Sequence, residues 1–545
     1  MILITSASYL ASEFQAEFGK IVPSFLAFGG KRLYEYQAKL FATNRAHKQQ
    51  KIVLSLPQSF EISDFEKEKI NNLGISLLFV PDNLSLGNSI NYCLNMNLPL
   101  NEPLQILHGD TYFMDFAPFM GDDSDALGIS KSLYNYEWAG LESINISDSG
   151  DFIADSRDSS AKLSNSDFPP QIHAQDKKDF ILNGYFCISR PYHFVKALLH
   201  ANYDFILALK VYSKDFPFKL LRNDSWLDFG LISSYFHSKS AIFMQRHFNE
   251  ISIDSNGTFI HKTSNKPHKI QAEIAWFESF PKEMQIFTPK IHPSDDKKSY
   301  KCEYLYLNTL AEIFVFGRLS GYAFKIIFDK CFEFLSKLHS IKPLDSTPNF
   351  CYHQKSVARL SEFAKQRDLD LNAPFRFNGK NAPSLNALLD KLDNFIGAKF
   401  EPCFIHGDFC FSNIAFDFRA LRIKAFDPRG LDFSEKISVY GDKRYDYAKL
   451  AHSVLGLYDF IVFGFYKCEF KDYEFRFDIE ISENTRAIQR IFLDSFDFDK
   501  REILAITCHL FLSMLPLHSD DMNRQNALLA NAYRIYFDLL NGGDK

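Results

Sequence analysis

Asp408, Asn413 and Asp427 are the residues of this chain whose types and spacing are best suited to do chemistry. The apolar pair Phe404-Ile405 delivers His406, Gly407 and Asp408 into a turn, four residues pass before Asn413, and a second strand ending at Phe426 presents Asp427 to the same place. In-line transfer of a γ-phosphoryl group needs a carboxylate to take the acceptor's hydroxyl proton. It also needs an Asn and an Asp to hold Mg²⁺ on the β- and γ-phosphates. His-Gly-Asp-x-x-x-x-Asn supplies the base and the Asn, and Asp427-Pro-Arg-Gly430 supplies the Asp.

The same reaction needs a strand Lys on the α- and β-phosphates and a helix Glu to hold it. The stretch Ile251 to Ser264 reads as a β-hairpin turning at Asn256-Gly257, and a helix-like stretch runs from Lys269 to Phe280. Lys262 and Glu273 fit the two places, with Glu278 the competing choice. The spacing is close to the catalytic loop and Asp-Phe-Gly of protein kinases, with Gly407 where those enzymes have Arg. Residues 403–430 resemble the aminoglycoside phosphotransferase and choline kinase superfamily of small-molecule kinases. The resemblance implies that Asp408 is the catalytic base, that Asn413 and Asp427 are metal ligands, and that His406 braces the loop. Cys302-Glu-Tyr-Leu-Tyr resembles the segment linking the two kinase lobes, where backbone groups at Glu303 to Leu305 would meet the adenine. The helix Phe328 to His339 resembles that family's helix with a terminal Leu-His, and Ile341 to Pro383 reads as an insertion shaping the acceptor pocket. Gly441 to His452 resembles its Asp-Leu-Ala helix, in which Asp446 braces the loop.

A second set of acidic residues lies in the first half. Leu104-Gln-Ile-Leu-His-Gly-Asp110 ends a strand in a Gly-Asp turn, and in open α/β sheets ligands sit beyond the carboxyl ends of the strands. Around it, Ile2-Leu-Ile, Ile52 to Leu56 and Ile75 to Val80 read as strands. Leu33 to Phe41, Ser63 to Leu73 and the stretch after Ser85 read as helices, an alternation that implies parallel strands with crossover helices. Phe25-Leu-Ala-Phe-Gly-Gly-Lys-Arg-Leu-Tyr-Glu-Tyr-Gln37, His108-Gly-Asp-Thr111, Leu182-Asn-Gly-Tyr-Phe-Cys-Ile188 and Trp226-Leu-Asp-Phe-Gly-Leu-Ile232 together resemble the sugar-phosphate nucleotidyltransferases of glycosyltransferase-A type. By that resemblance Asp110 and Asp228 hold the Mg²⁺ that relieves repulsion between a nucleotide and a sugar phosphate. The sequence departs from that family at the first loop, Thr5-Ser-Ala-Ser-Tyr9, where Gly would let backbone N–H groups close on a triphosphate. Pro23 stands where the family has a Lys. Lys20, Ser6 and Ser8 are the substitutes within reach. Two outcomes stay open for this half: nucleotide transfer, or binding of a nucleotide sugar without that reaction, including sugar transfer. Asp122-Asp-Ser-Asp125 reads as a solvated turn, and residues 154–178 as an exposed loop or substrate flap.

The elements that must position these groups form two domains, since 545 residues exceed one core. The expected architecture is α/β: a Rossmann-like, glycosyltransferase-A-like nucleotidyltransferase domain over 1–245, then a two-lobed, protein-kinase-like α+β domain over 246–545, divided into 246–310 and 311–545. The composition, 46% hydrophobic and 23% charged, is that of a soluble globular protein, and 57 Phe residues fill cores. A net charge of −6 argues against binding nucleic acid through a broad basic surface. The nine Cys contain no Cys-x-x-Cys pair, so neither a disulfide framework nor a zinc site is indicated. The opening residues lack a signal-peptide pattern, and no apolar run approaches a spanning helix, so a cytoplasmic location without membrane insertion is expected. Together the readings imply a bifunctional enzyme that phosphorylates a small alcohol or sugar with ATP and Mg²⁺, then couples the phosphate to a nucleotide from a second nucleoside triphosphate, as for surface or capsular polysaccharide. The alternative is a kinase with a binding-only or glycosyltransferase-like first domain. The acceptor, the second base and the oligomeric state are not legible.

Overall fold

The computed structural model describes residues 1–42, 51–97, 100–118, 124–131, 144, 180–240, 251–254, 258–343, 348–495 and 498–541. The expected border at 245/246, the loop 154–178, the turn Asn256-Gly257 and the first two residues of the acidic run at 122–125 lie outside them. The chain divides into two compact units, Met1–Gln15 with Lys20–Ile242, and Ala16–Gly19 with Phe243–Lys545. The architecture is mixed α/β, and among the described residues no helix is long and apolar enough to cross a membrane.

The N-terminal unit is built on β1 (Ile2–Thr5), α1 (Leu33–Ala42), β2 (Ile52–Pro57), α2 (Asp64–Asn72), β3 (Ile75–Val80), α3 (Leu86–Asn97), β4 (Leu104–His108), β5 (Thr111–Phe113), β6 (Ala126–Lys131), β7 (Phe180–Ile188), α4 (Pro191–His200), α5 (Phe205–Tyr212), β8 (Lys219–Arg222), β9 (Trp226–Asp228) and α6 (Ile232–Ser240). Its seven-stranded sheet has the order β8-β6-β7-β4-β1-β2-β3. β1 and β2 are buried along their whole length, the continuous apolar run of a strand covered on both faces. The expected parallel pairing holds for β4, β1, β2 and β3. It fails at β7, which runs antiparallel to β4 and β6 and makes the sheet mixed; an antiparallel neighbour needs no helical crossover, so helix–strand alternation does not report it. The solvated turn expected at 122–125 is corrected at Asp125. That carboxylate is buried and accepts from the Ser189 amide at 2.7 Å and the Tyr212 hydroxyl at 2.8 Å.

In the C-terminal unit, β10 (Ile251–Ile253), β11 (Phe259–Thr263), β12 (Ile291–Pro293) and β13 (Ser299–Glu303) form an antiparallel sheet in the order β10-β11-β13-β12, joined by α7 (Pro267–Ser279). The helical part contains α8 (Leu310–Phe316), α9 (Gly321–His339), α10 (Tyr352–Arg367), α11 (Leu385–Asp393), α12 (Lys443–Val454), α13 (Glu483–Asp494), α14 (Lys500–Met514) and α15 (Met522–Leu540). α14 is buried without a break from Ile503 to Ser513, as a helix apolar all round must be. The helix expected from Phe328 starts earlier, at Gly321, because the Ser320 hydroxyl caps it by accepting from the Ala323 amide. The Pro- and Asn-rich insertion holds the sixteen-residue helix α10.

Candidate active sites

The short strand β14 (Pro402–Phe404) pairs antiparallel with Tyr440–Asp442 and feeds the loop 405–413. The hairpin β15 (Ile414–Asp417) and β16 (Arg422–Ala425) then returns the chain to Asp427. Two backbone bonds tie the motifs together, Phe426 N–H to Asn413 O at 3.0 Å and Arg429 N–H to His406 O at 2.9 Å. Gly407 has φ +76°, and a Cβ there would come within 2.8 Å of the Arg429 Cβ, so close approach of the two motifs requires glycine. Asp427, a non-glycine residue, is held at φ +55°, a strained conformation of the kind that clusters at functional sites.

The loop is braced from α12. Asp446 accepts from the amides of His406 at 2.9 Å and Gly407 at 2.7 Å, and its Oδ2 lies 3.0 Å from His339 Nε2 at the end of α9. His406 is fully buried against Trp276, its Nδ1 accepts from the Asp408 amide at 3.3 Å, and burial lowers its pKa. Asn413 Nδ2 donates to Asp408 Oδ2 at 2.9 Å. One turn beyond Asp446, Lys449 Nζ reaches Asp408 Oδ1 at 2.7 Å. Burial opposes that ammonium's charge, and the Asp408 carboxylate more than offsets it. Lys449 was not singled out from the sequence, although its i,i+3 spacing from Asp446 puts both on one helix face.

Lys262, on β11, is buried and bridges Glu273 on α7 and Asp427, each at 2.8 Å. Burial opposes its charge, and the two carboxylates raise its pKa overall. Glu278 instead pairs with Lys297 at an exposed position. Glu303 ends β13; its amide donates to Lys290 O at 3.0 Å and the Tyr304 amide to Thr258 O at 2.9 Å, so both are committed to strand pairing.

In the N-terminal unit, β5 and β9 pair antiparallel with Asp228 opposite Thr111, which brings Asp110 and Asp228 to one place. A Cβ on Gly230 would lie 2.8 Å from Asp110 Oδ2 and 3.3 Å from Asp228 Oδ1, so only glycine leaves the space between these carboxylates open. Burial and the Asp110 charge push Asp228 up to about 7, while burial raises Asp110. The Ser234 hydroxyl donates to Asp228. No Lys or Arg lies within ion-pair distance of either carboxylate among the described residues, and two converging hard oxygen donors fit a divalent ion such as Mg²⁺. Gln37, at the end of the Gly-Gly segment, was not identified as a site residue; its Nε2 donates to the carbonyls of Gly109 and Thr111 at 3.0 Å and clamps the Gly-Asp turn. Ser6 and Lys20, expected to contact a triphosphate, are both engaged within the protein, and Ser6 lies beside Gly109 of the Gly-Asp turn. Ser6 is buried and its hydroxyl accepts from the Ser24 amide at 3.0 Å, while Lys20 Nζ stands 4.1 Å over the Tyr9 ring.

Residues 254–456 match the family model described as phosphotransferase enzyme family. No curated protein matches. Among solved structures, the N-terminal part is similar to a nucleoside-diphosphate-sugar pyrophosphorylase from Vibrio cholerae, at 13% identity and TM-score 0.30, covering 44% of this chain and 99% of that one. The C-terminal part is similar to an aminoglycoside phosphotransferase from Streptomyces rimosus, at 13% identity and TM-score 0.30, covering 50% and 91%. It is also similar to a macrolide 2'-phosphotransferase from Brachybacterium faecium, at 10% identity and TM-score 0.30, covering 53% and 90%. Over residues 254–456 the chain carries a domain of the phosphotransferase enzyme family, and it is a transferase of phosphorus-containing groups.

Proposed function

We propose that the chain is a bifunctional cytoplasmic enzyme whose C-terminal domain, 246–545, phosphorylates a small alcohol or sugar with ATP. The N-terminal domain, 1–245, couples the phosphate to a nucleotide drawn from a second nucleoside triphosphate, giving an activated precursor for capsular or other surface polysaccharide. The kinase half is carried by one connected set of contacts: Lys262 touches Glu273 and Asp427, and Asn413 touches Asp408. Asp408 takes the acceptor's hydroxyl proton as its oxygen bonds to the γ-phosphorus, and the bond to the β,γ-bridging oxygen breaks with its electron pair leaving on ADP. Lys449 and Asn413 fix the two Asp408 oxygens, and His406 and Asp446 hold the loop beneath. Asn413 and Asp427 would hold Mg²⁺ here, and Asp110 and Asp228 in the other unit; the ion supplies charge neutralisation of the phosphates.

The buried Ser6 and the ring-covered Lys20 favour a second reading, in which the N-terminal unit binds a nucleotide sugar without transferring nucleotide. Incubating the full chain with ATP, each of CTP, GTP and UTP, Mg²⁺ and a panel of acceptors, with products followed by mass spectrometry, separates the two. A phosphorylated acceptor that is never converted to a nucleotide conjugate selects the second reading, and no phosphorylated acceptor at all rejects both.

A further inference from the structure

Cations from different elements of the C-terminal unit gather around Lys355, close enough to Asp408 for its charge to be felt there. α10 brings Lys355, whose Nζ donates to the Tyr445 hydroxyl at 3.1 Å and stands 4.0 Å over the Phe433 ring and 5.1 Å over that of Tyr445. The same Phe433 ring is approached at 5.3 Å by the guanidinium of Arg429, whose Nε donates to Leu431 O and Nη2 to Asp432 O. Lys449 lies 5.8 Å from the Tyr445 ring while it grips Asp408. Lys269, in the first turn of α7, is close enough to Arg429 to feel its charge. Arg359, one turn after Lys355, adds a further positive charge but pairs with Glu362 at 3.2 Å.

Among the described residues neither Lys355 nor Arg429 has a carboxylate within ion-pair distance, and both are half-buried. They contrast with Lys262, which holds two, and Lys449, which holds one. Burial, Arg429 and Lys449 press the Lys355 ammonium toward its neutral form, and Asp408 offsets this only in part. Glu435 is the carboxylate that favours Lys269. Like charges held together beside a catalytic carboxylate cost stability until an anion completes them.

We propose that the acceptor of the C-terminal unit is itself an anion, a phosphorylated or carboxylated polyol, held by Lys355 and Arg429 with its hydroxyl at Asp408. The proposal rests on the kinase reading and adds the acceptor's charge. An amino alcohol or aminoglycoside would meet like charge here. Phe433 and Tyr445 present faces already covered by a protein cation, so they do not form a cage for a ligand's ammonium group.

The test uses the full chain with ATP and Mg²⁺ and matched acceptors: glycerol, D-glycerate and glycerol 3-phosphate; glucose, gluconate and glucose 6-phosphate; choline and ethanolamine. Turnover is expected only with anionic members, and the phosphate and carboxylate arms tell which anion is meant. Lys355→Met and Arg429→Met should each raise the acceptor KM at least about tenfold, as loss of a charge-assisted hydrogen bond does, and Lys355→Arg should largely restore it. Equal use of neutral or cationic members, or an unmoved acceptor KM in Lys355→Met, overturns the proposal. Calorimetry of the wild type and the Lys355→Met/Arg429→Met double variant with inorganic phosphate, D-glycerate and, separately, Mg²⁺-ATP covers the case where no acceptor turns over. Anion binding lost in the double variant with ATP binding kept supports the proposal. No anion binding to the wild type, or loss of ATP binding in the double variant, overturns it. Failure of the wild type to bind Mg²⁺-ATP while it binds the anion sinks the kinase reading and leaves the anion site standing.

Discussion

Asp110 and Asp228 converge across Gly230 with no protein cation within ion-pair distance among the described residues, and Asp228 is driven up to about 7. Asp408 and Asp427, in the other unit, are each held by a lysine, Lys449 at 2.7 Å and Lys262 at 2.8 Å. Both arrangements gather carboxylates, but they resolve the resulting repulsion differently. The first is relieved by a proton or by a bound cation. The second is countered from within, each carboxylate holding a lysine ammonium of the same unit.

The substitution that should separate the two sites most sharply is Asp408→Asn. Removing the base should lower phosphate transfer from ATP by roughly a hundred- to ten-thousandfold while ATP binding and any nucleotide transfer persist, read by steady-state product formation. Lys262→Met should act on stability as well as on nucleotide binding. It removes the buried ammonium that Glu273 and Asp427 share, and breaking such a pair costs about 3 kcal/mol, visible as a lower urea midpoint. A variant as stable as the wild type would mean that the internal neutralisation contributes little.

Each unit buries a neutral histidine that acid works against, and in the N-terminal unit alone the raised Asp228 carboxyl, protonated in the fold from about pH 7 downward, works in the opposite sense. Burial pushes His108 down to about 4, and burial with the nearby Lys449 lowers His452 well below the usual value. Above pH 6.5 both rings are neutral folded or unfolded. As the pH falls through 6.5 only the unfolded chain takes the proton, so stability drops by up to about 1.4 kcal/mol per pH unit for each ring, for His108 until about pH 4. His452→Phe, at a ring packed on Tyr458 and Phe511, should flatten the acid limb of the C-terminal transition in urea titrations at several pH values. The smallest expected effect has the opposite sign to most mutations. Asp110→Asn should stabilise the N-terminal unit by about 1 kcal/mol without Mg²⁺, because one repelling charge is gone, and should abolish the rise in melting temperature that Mg²⁺ with nucleotide gives the wild type.

Much of this was legible because the chemistry is local in sequence. His406, Asp408, Asn413 and Asp427 lie within one strand–loop–strand unit, and the pairing of Lys262 with Glu273 follows from a hairpin and the next helix. Asp110 and Asp228 were legible one by one, but their meeting depends on the β5–β9 pairing, a long-range contact that periodicity does not carry. The antiparallel course of β7 was hidden for the same reason. Lys355 was invisible, since nothing in a Pro- and Asn-rich stretch says that α10 brings a lysine to Tyr445. Ser6 stands where a Gly-rich loop would be, and the bonds of its amide to Ser55 and of its hydroxyl to Ser24 come from strand-end packing that local sequence does not carry.

The central claim is that one chain carries two separate phosphorus-transfer sites, and the most direct measurement is product analysis of three proteins, wild type, Asp408→Asn and Asp110→Ala/Asp228→Ala, each given Mg²⁺, ATP, a second nucleoside triphosphate and acceptor. The wild type should form the acceptor phosphate and its nucleotide conjugate. Asp408→Asn should form neither from the free acceptor but make the conjugate when supplied with the acceptor phosphate, and the double variant should stop at the acceptor phosphate. Conjugate formation at the wild-type rate by Asp110→Ala/Asp228→Ala, or loss of both reactions in either variant while it remains folded, would contradict the account.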